Sequence, residues 1–336
     1  MPKTGSVGHS DITPTKQRHL KEILDTHIRI VKAIQKKWSE HKWAESEYAY
    51  FDIYAGPGRI NGDFGSPIIF IDLAKKYKIP YQATLIENNK DTYQMLESAI
   101  VQRYGEGLPK HILSFGDNEE ILKRFINNPP FLKQFGLLYA DPNGCPNFES
   151  IAKISNIKQY EKMDILINCP AAAQKRALKI PKCTNHTQNL SEELLKINKN
   201  YWIIREPYGS WQWSFLIGTN WDSFPEFSHL GFYRLSSDRG REILTKLTHT
   251  ARELEILDAY GHYQEYADYL EHPLFLFTKK EVFARAKGKC EICKIYPPTE
   301  PHHKVYPKWG TFEFDNPENL IAVCHKCHCK IHGKEN

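Results

Sequence analysis

Between Cys290 and His332 the chain carries five cysteines and five histidines. Four of the cysteines form two C-x2-C pairs, Cys290/Cys293 and Cys324/Cys327, separated by 30 residues. Thiolates are ligands that zinc prefers, and two such turns can close a tetrahedral site of four sulfurs. The opening residues MPKTGSVGHS lack the apolar core of a secretory signal. Such pairs therefore read as metal ligands rather than disulfides, with Cys145, Cys169 and Cys183 scattered elsewhere. A segment of about 60 residues has little core of its own, so a structural zinc would supply much of its folding energy.

The histidines add something that a structural zinc does not need. His328 and His332 are four apart and share one face if Cys324–Gly333 is helical. His302 and His303 lie on an extended segment, where neighbours point to opposite sides. One of that pair can join His328 and His332 on a second ion while the other faces a substrate. Asn319, at the turn into the apolar strand Leu320–Val323, can hold the strand segment or the substrate-facing imidazole. A neutral imidazole can take a proton from water, and a divalent ion on a phosphate stabilises developing charge. Lys304, Lys308, Lys326 and Lys330 are candidate phosphate contacts. The plainer reading is a zinc ribbon that only binds DNA or protein, with His325 and Cys329 as surface residues.

Charge is distributed to match. From Lys279 to Asn336 there are 11 Lys/Arg and 7 Asp/Glu, whereas the preceding 278 residues carry 34 and 33. A basic terminal module on a neutral body suits a polyanion.

A second set of residues lies near the start of the chain. Asp52 is followed by a glycine turn containing Gly56 and Gly58, which lets backbone approach a ligand. Glu87 ends the next strand, where a carboxylate can bind ribose hydroxyls; Asp117 follows the third, where it can take an adenine amine. Asp141-Pro142-Asn143-Gly144 follows the fourth, at the edge where open sheets place their sites. Trp202, Tyr208, Trp211, Trp213, Phe215 and Trp221 could stack on bases. The alternation of Trp211, Trp213 and Phe215 favours one face of a hairpin instead. Arg205, Arg239 and Arg241 are either phosphate contacts or solvated surface residues.

The elements that must position these groups read as alternating strands and helices. Thr15 to Trp38 has the three- and four-residue apolar steps of an amphipathic helix. Strands are expected at Tyr48–Ile53, Gln82–Ile86, His111–Phe115, Gly136–Ala140 and Met163–Asn168. Helices are expected at Pro67–Tyr77, Asp91–Arg103, Glu119–Ile126 and Ile151–Tyr160. Buried apolar strands alternating with helices imply a parallel sheet covered on both faces. Tyr201–Arg205 and Ser214–Thr219 flank Glu206–Trp213 as in a hairpin, Phe232–Leu235 adds a strand, and Arg241–Leu270 returns to helix. A boundary is expected at His272-Pro273, which divides a polar tail (1–14), a large domain (15–272) and a small one (273–336). With 41% hydrophobic and 25% charged residues, the 336-residue chain is not a mostly disordered one. Its longest apolar runs, Pro67–Ile71 and Pro273–Phe277, are far below the roughly 20 residues of a membrane helix. The expectation is a cytoplasmic protein without a membrane partner.

The segment from Lys279 to His332 resembles the HNH endonuclease family, the ββα-metal fold with an added zinc ribbon. The likeness rests on the cysteine pair, His302-His303, Asn319 before a strand, the second cysteine pair and His328-x3-His332. It implies His303 as general base, His302 with His328 and His332 as ligands of a catalytic ion, and Asn319 as the orienting residue. Many family members have Asp where His302 stands, and Mg2+, Mn2+, Ni2+ or Zn2+ remain candidates. Residues 15–250 resemble class I S-adenosylmethionine-dependent methyltransferases, and more closely the three-Cys-motif partner family. The run from Lys16 to His19, the glycine turn, GSPIIF, LIENN and the Asp-Pro-x-Gly turn carry that likeness. It implies a Rossmann-like fold and an S-adenosylmethionine pocket at Asp52, Gly56, Gly58, Glu87 and Asp117, with Asp141 beside the methyl-transfer centre. It also implies a place in bacterial mobile and defence-type gene neighbourhoods, hence a regulatory protein partner. Asn143 and Gly144 replace the second proline and the aromatic of base amino-methyltransferases, which removes a stacking surface. The expectation is a metal-dependent endonuclease on nucleic acid, DNA first, with a methyltransferase-like domain for recognition or regulation. The rivals are a nucleic-acid methyltransferase with a gripping tail, and a non-enzymatic adaptor in a defence complex.

Overall fold

The computed structural model describes residues 13–40, 47–60, 62–105, 113–142, 144–172, 190–207, 213–223, 225–306 and 314–333. Cys183, Tyr208, Trp211, Asn143 and Lys308 lie outside them, as do most of the 1–14 tail and the centre of the 206–213 hairpin. The chain divides into two compact units, 1–169 with 225–230, and 170–224 with 231–336.

In the first unit, β1 (Tyr48–Asp52), β4 (Tyr81–Glu87), β5 (Leu113–Phe115), β6 (Phe135–Ala140) and β7 (Met163–Pro170) run in the order β7-β6-β1-β4-β5. Every neighbouring pair among these is parallel. Strands β1 and β6 are buried at every position, which explains why they read as largely apolar runs rather than alternations, with Asp52 the one charged residue among them. At Gly136 the two strands approach so closely that a Cβ would stand 1.9 Å from the Ala49 carbonyl oxygen. A short hairpin, β2 (Arg59–Ile60) with β3 (Asp63–Phe64), follows the glycine turn and was not legible in the sequence. Helices α1 (Thr13–Lys37), α2 (Ser66–Tyr77), α3 (Lys90–Tyr104), α4 (Asn118–Asn127) and α5 (Phe148–Ser155) complete the alternation. Helix α5 begins earlier than expected because Asn147 caps it through the Ser150 amide, and it ends before a separate turn at Lys158–Tyr160. Leu20, Ile23, Leu24, Ile28 and Val31 form the buried stripe of α1.

In the second unit, β8 (Tyr201–Arg205) pairs antiparallel with β9 (Trp213–Thr219) and with β10 (Phe232–Arg234). Helix α6 (Leu190–Lys196) precedes them, and α7 (Pro225–Ser228) belongs to the first unit. The helical stretch after Arg234 is three helices, α8 (Asp238–Thr248), α9 (Ala251–Tyr260) and α10 (Tyr266–Glu271). Thr250 and Glu253 start α9 with a reciprocal capping box, and Gly261 at positive φ ends it. His272-Pro273, read as a domain boundary, opens helix α11 (Pro273–Arg285) inside this unit, with the His272 side chain accepting from the Leu274 amide. Then β11 (Glu300–His303) pairs antiparallel with β12 (Leu320–Val323), and α12 (His325–Ile331) follows. The chain is thus mixed α/β, with a five-stranded parallel sheet in the first unit and antiparallel pairs in the second. Among the described residues no helix is long and apolar enough to cross a membrane.

Candidate functional site

The loop after α11 and the start of α12 bring the four paired cysteines together. One ligand atom from each of Cys290, Cys293, Cys324 and Cys327 lies within 4.8 Å of all the others. Sulfurs at about 2.3 Å from a tetrahedral zinc stand about 3.8 Å apart, and Cys293 Sγ and Cys324 Sγ are 3.9 Å apart. The loop turns at Lys294, whose φ is 60° and whose amide donates to the Cys290 carbonyl. Burial pushes the Cys290 thiol up, but amides of Cys293, Cys324 and Ile292 aimed at its sulfur bring it down to about 6. Together with Val323, these residues form the apolar centre of the segment. The cluster can hold a metal such as zinc.

A second cluster sits where β11 meets α12. His302, His328 and His332 each offer a nitrogen within 4.8 Å of the others. His328 and His332 face each other through Nε2 at 3.2 Å, near the edge of about 3.3 Å for nitrogens at 2.0–2.1 Å from one ion. The His328 ring is oriented from behind, since its Nδ1–H donates to Glu300 at 2.5 Å. Glu300 also meets His325 at 3.2 Å, so His325 is a surface residue with a carboxylate partner, and Cys329 lies 3.6 Å from it. His302 is buried and its Nδ1 has no hydrogen-bond partner. Burial, followed by the neighbouring His328 and His332, lowers the His302 pKa, which favours the neutral, ligating form. The residues fit an ion held by three imidazoles.

His303, next along β11, faces elsewhere. Its Nε2–H donates to Asp315 at 3.0 Å, leaving Nδ1 as the basic atom. Asp315 also accepts from Tyr269 at 2.7 Å and from Asn319 Nδ2 at 2.6 Å. Burial pushes the Asp315 carboxyl up, but the bonds from His303, Tyr269 and Asn319 hold it below the usual carboxylate value. Asn319 further clamps the backbone of Val305 through both ends of its amide. Asp315 and Tyr269 were not among the sequence candidates. Arg241, read as a surface residue, is buried and donates to the Phe314 carbonyl and to Asn316, on either side of Asp315. Lys304, Lys326 and Lys330 are exposed, with Lys304 Nζ donating to the Glu318 carbonyl.

The first unit has a cavity of about 570 Å³ at the carboxyl ends of β1, β4, β5 and β6, where the strand order reverses. Gly56 and Gly58 line it with φ of 64° and 72°, a region that favours glycine. Glu87 and Asp141 line it as well. Both carboxylates are engaged. Glu87 accepts from the Gly56 and Asn89 amides, and Asp141 from Lys16, Tyr139 and Asn168. Asp52 is fully buried beneath the turn, accepting from the Tyr54 amide and Tyr50. Asp117 is not part of the cavity lining; it caps α4 through the Glu119 and Glu120 amides, while Gly116 and Asn118 line the wall. Trp213 and Phe215 are buried core residues, as the hairpin reading expects, and Trp202 on β8 is buried as well. Arg239 is paired with Glu206 and Glu242.

No family model matches the chain, and no curated protein matches it. Among solved structures it is similar to protein LPL1258 from Legionella pneumophila str. Philadelphia 1 (family-model DUF519), at 14% identity with a TM-score of 0.37. That match covers 67% of this chain and 92% of the other. A likeness at this level leaves the functional reading to the residues themselves.

Proposed function

We propose that the ββα segment is a metal-dependent endonuclease of the HNH type, hydrolysing phosphodiester bonds of nucleic acid, with DNA as the first substrate. The first unit then serves recognition or regulation. One observation carries this reading: three imidazoles converge, and His303, next in the chain to His302, is held through Nε2 by a carboxylate. His302, His328 and His332 would hold the ion, which when bound neutralises charge on the phosphate and the leaving oxygen. His303 takes the proton from the attacking water. Asp315 holds the ring and stabilises the imidazolium that forms, as an orienting carboxylate does in other His-dependent hydrolases. Asn319 and Tyr269 fix Asp315 in turn. Lys326 and Lys330 supply positive charge on the exposed side of α12 for the phosphate backbone.

The test is plasmid cleavage with Mg2+, Mn2+, Ni2+ or Zn2+. Cutting is expected with at least one, and His303→Ala should abolish it while zinc content stays unchanged. Intact plasmid under all four metals overturns the reading.

A second reading is supported by the cavity at the carboxyl edge, whose 570 Å³ lies within the range of about 300–1,000 Å³ for small-molecule sites. It takes S-adenosylmethionine as ligand, with or without methyl transfer. Calorimetric titration with S-adenosylmethionine tests it, and labelled methyl transfer that survives His303→Ala would favour the methyltransferase over the nuclease.

A further inference from the structure

Tyr306 lies three residues beyond His303, on the segment that leaves β11. Its hydroxyl oxygen is 3.4 Å from His332 Nε2, the same nitrogen that stands 3.2 Å from His328 Nε2. The ring meets His302 edge-on, with centroids 5.9 Å apart, and tilts against His303 at 5.2 Å. A hydrogen bond alone accounts poorly for this placement, because 3.4 Å is long for a hydroxyl donating to a ring nitrogen. It does match a shared ion: nitrogen and oxygen ligands at about 2.0–2.1 Å from a tetrahedral centre are about 3.3 Å apart. The side chain is 52% exposed, so its position is not dictated by packing into a core.

We propose that Tyr306 is the fourth ligand of the three-histidine metal, binding as tyrosinate with its proton released to solvent and closing the site in the resting protein. The inference rests on the three-histidine reading above and adds a restraint to it. Sites that keep a position open bind substrate there, whereas a fully ligated one does not. A phosphate would have to displace the phenol oxygen to reach the ion. Because the tyrosine is exposed and lies outside the strand, it can swing away without disturbing the ββα core.

The experiment uses the full chain with zinc already bound by the four cysteines, and adds zinc as the probe for the second site. Wild-type protein should take up one further equivalent and develop the ultraviolet difference signal of a single metal-bound tyrosinate. Tyr306→Phe should lose that signal and bind the second zinc about tenfold or more weakly, at least the loss seen for outer-shell partners. His332→Ala should take up no second zinc. A second equivalent that binds wild type without a tyrosinate signal, or a signal that survives in Tyr306→Phe, overturns the assignment of Tyr306 and leaves the three-histidine site standing. Failure of wild type to bind a second equivalent overturns both.

Discussion

The carboxylates near the glycine-turn cavity and the imidazoles of the second cluster are held differently, although Gln17 Oε1 on the cavity wall is also buried without a partner. On the cavity wall Glu87 accepts two backbone amides and Asp141 accepts from three side chains, while Asp117, outside the lining, caps a helix. In the imidazole centre, His302 Nδ1 is buried without a partner and two Nε2 atoms face each other. Buried polar atoms are almost always hydrogen-bonded. Carboxylates satisfied within the chain are explained by the fold, while a buried imidazole nitrogen without a partner, beside two imidazoles that face each other, points to a ligand. Similar residue types near a strand end therefore do not carry equal functional weight.

The comparison can be broken at several points, and the largest effect belongs to the sulfur cluster. Cys324→Ser, or chelation, should unfold the segment from Cys290 onward, since structural zinc contributes on the order of 10 kcal/mol in small domains. Limited proteolysis with metal analysis would read it, and a segment still protected without zinc contradicts the assignment. Asp315→Asn should slow cleavage by about 10²–10⁴-fold with metal content unchanged. A twofold effect in single-turnover assays would reduce Asp315 to a packing residue.

The cavity side gives smaller and opposite expectations. Burial, partly offset by bonds from Ser66 and the Tyr54 amide, raises the Asp52 pKa from 3.8 to about 7. The folded protein then keeps this proton over a window where the unfolded chain has lost it. Its contribution is most favourable below pH 4 and declines until about pH 7, by on the order of 4 kcal/mol in all. Asp52→Asn should flatten that slope in denaturant titrations across pH; an unchanged slope contradicts the burial argument. Glu87→Gln should cost about 1–3 kcal/mol by leaving an amide of the glycine turn without its acceptor. If instead stability is unchanged and only ligand binding falls, Glu87 belongs with the functional groups.

The strands and most helices were legible because each is a local pattern: a largely apolar run for β1 and β6, a three- and four-residue stripe for α1. The two side-chain clusters that could hold metal were legible from spacing, since two C-x2-C turns and an i, i+4 histidine pair need only their own backbone to be placed. Asp315 was not, because its partners His303 and Tyr269 lie 12 and 46 residues upstream. Arg241 was misread for the same reason, its acceptors being 73 and 75 residues away. Asp117 was different, since Asp followed by Glu at the second and third positions is a helix-start signal that the cofactor reading passed over.

Helix α12 spans only seven residues, from His325 to Ile331. Its N-cap and third residue belong to the thiolate quartet, while its fourth residue and C-cap belong to the imidazole trio. One rigid rod of under two turns is therefore the common spindle of both side-chain clusters. On the nuclease reading, oxidants that couple the thiols to one another would idle DNA cutting without touching a single histidine.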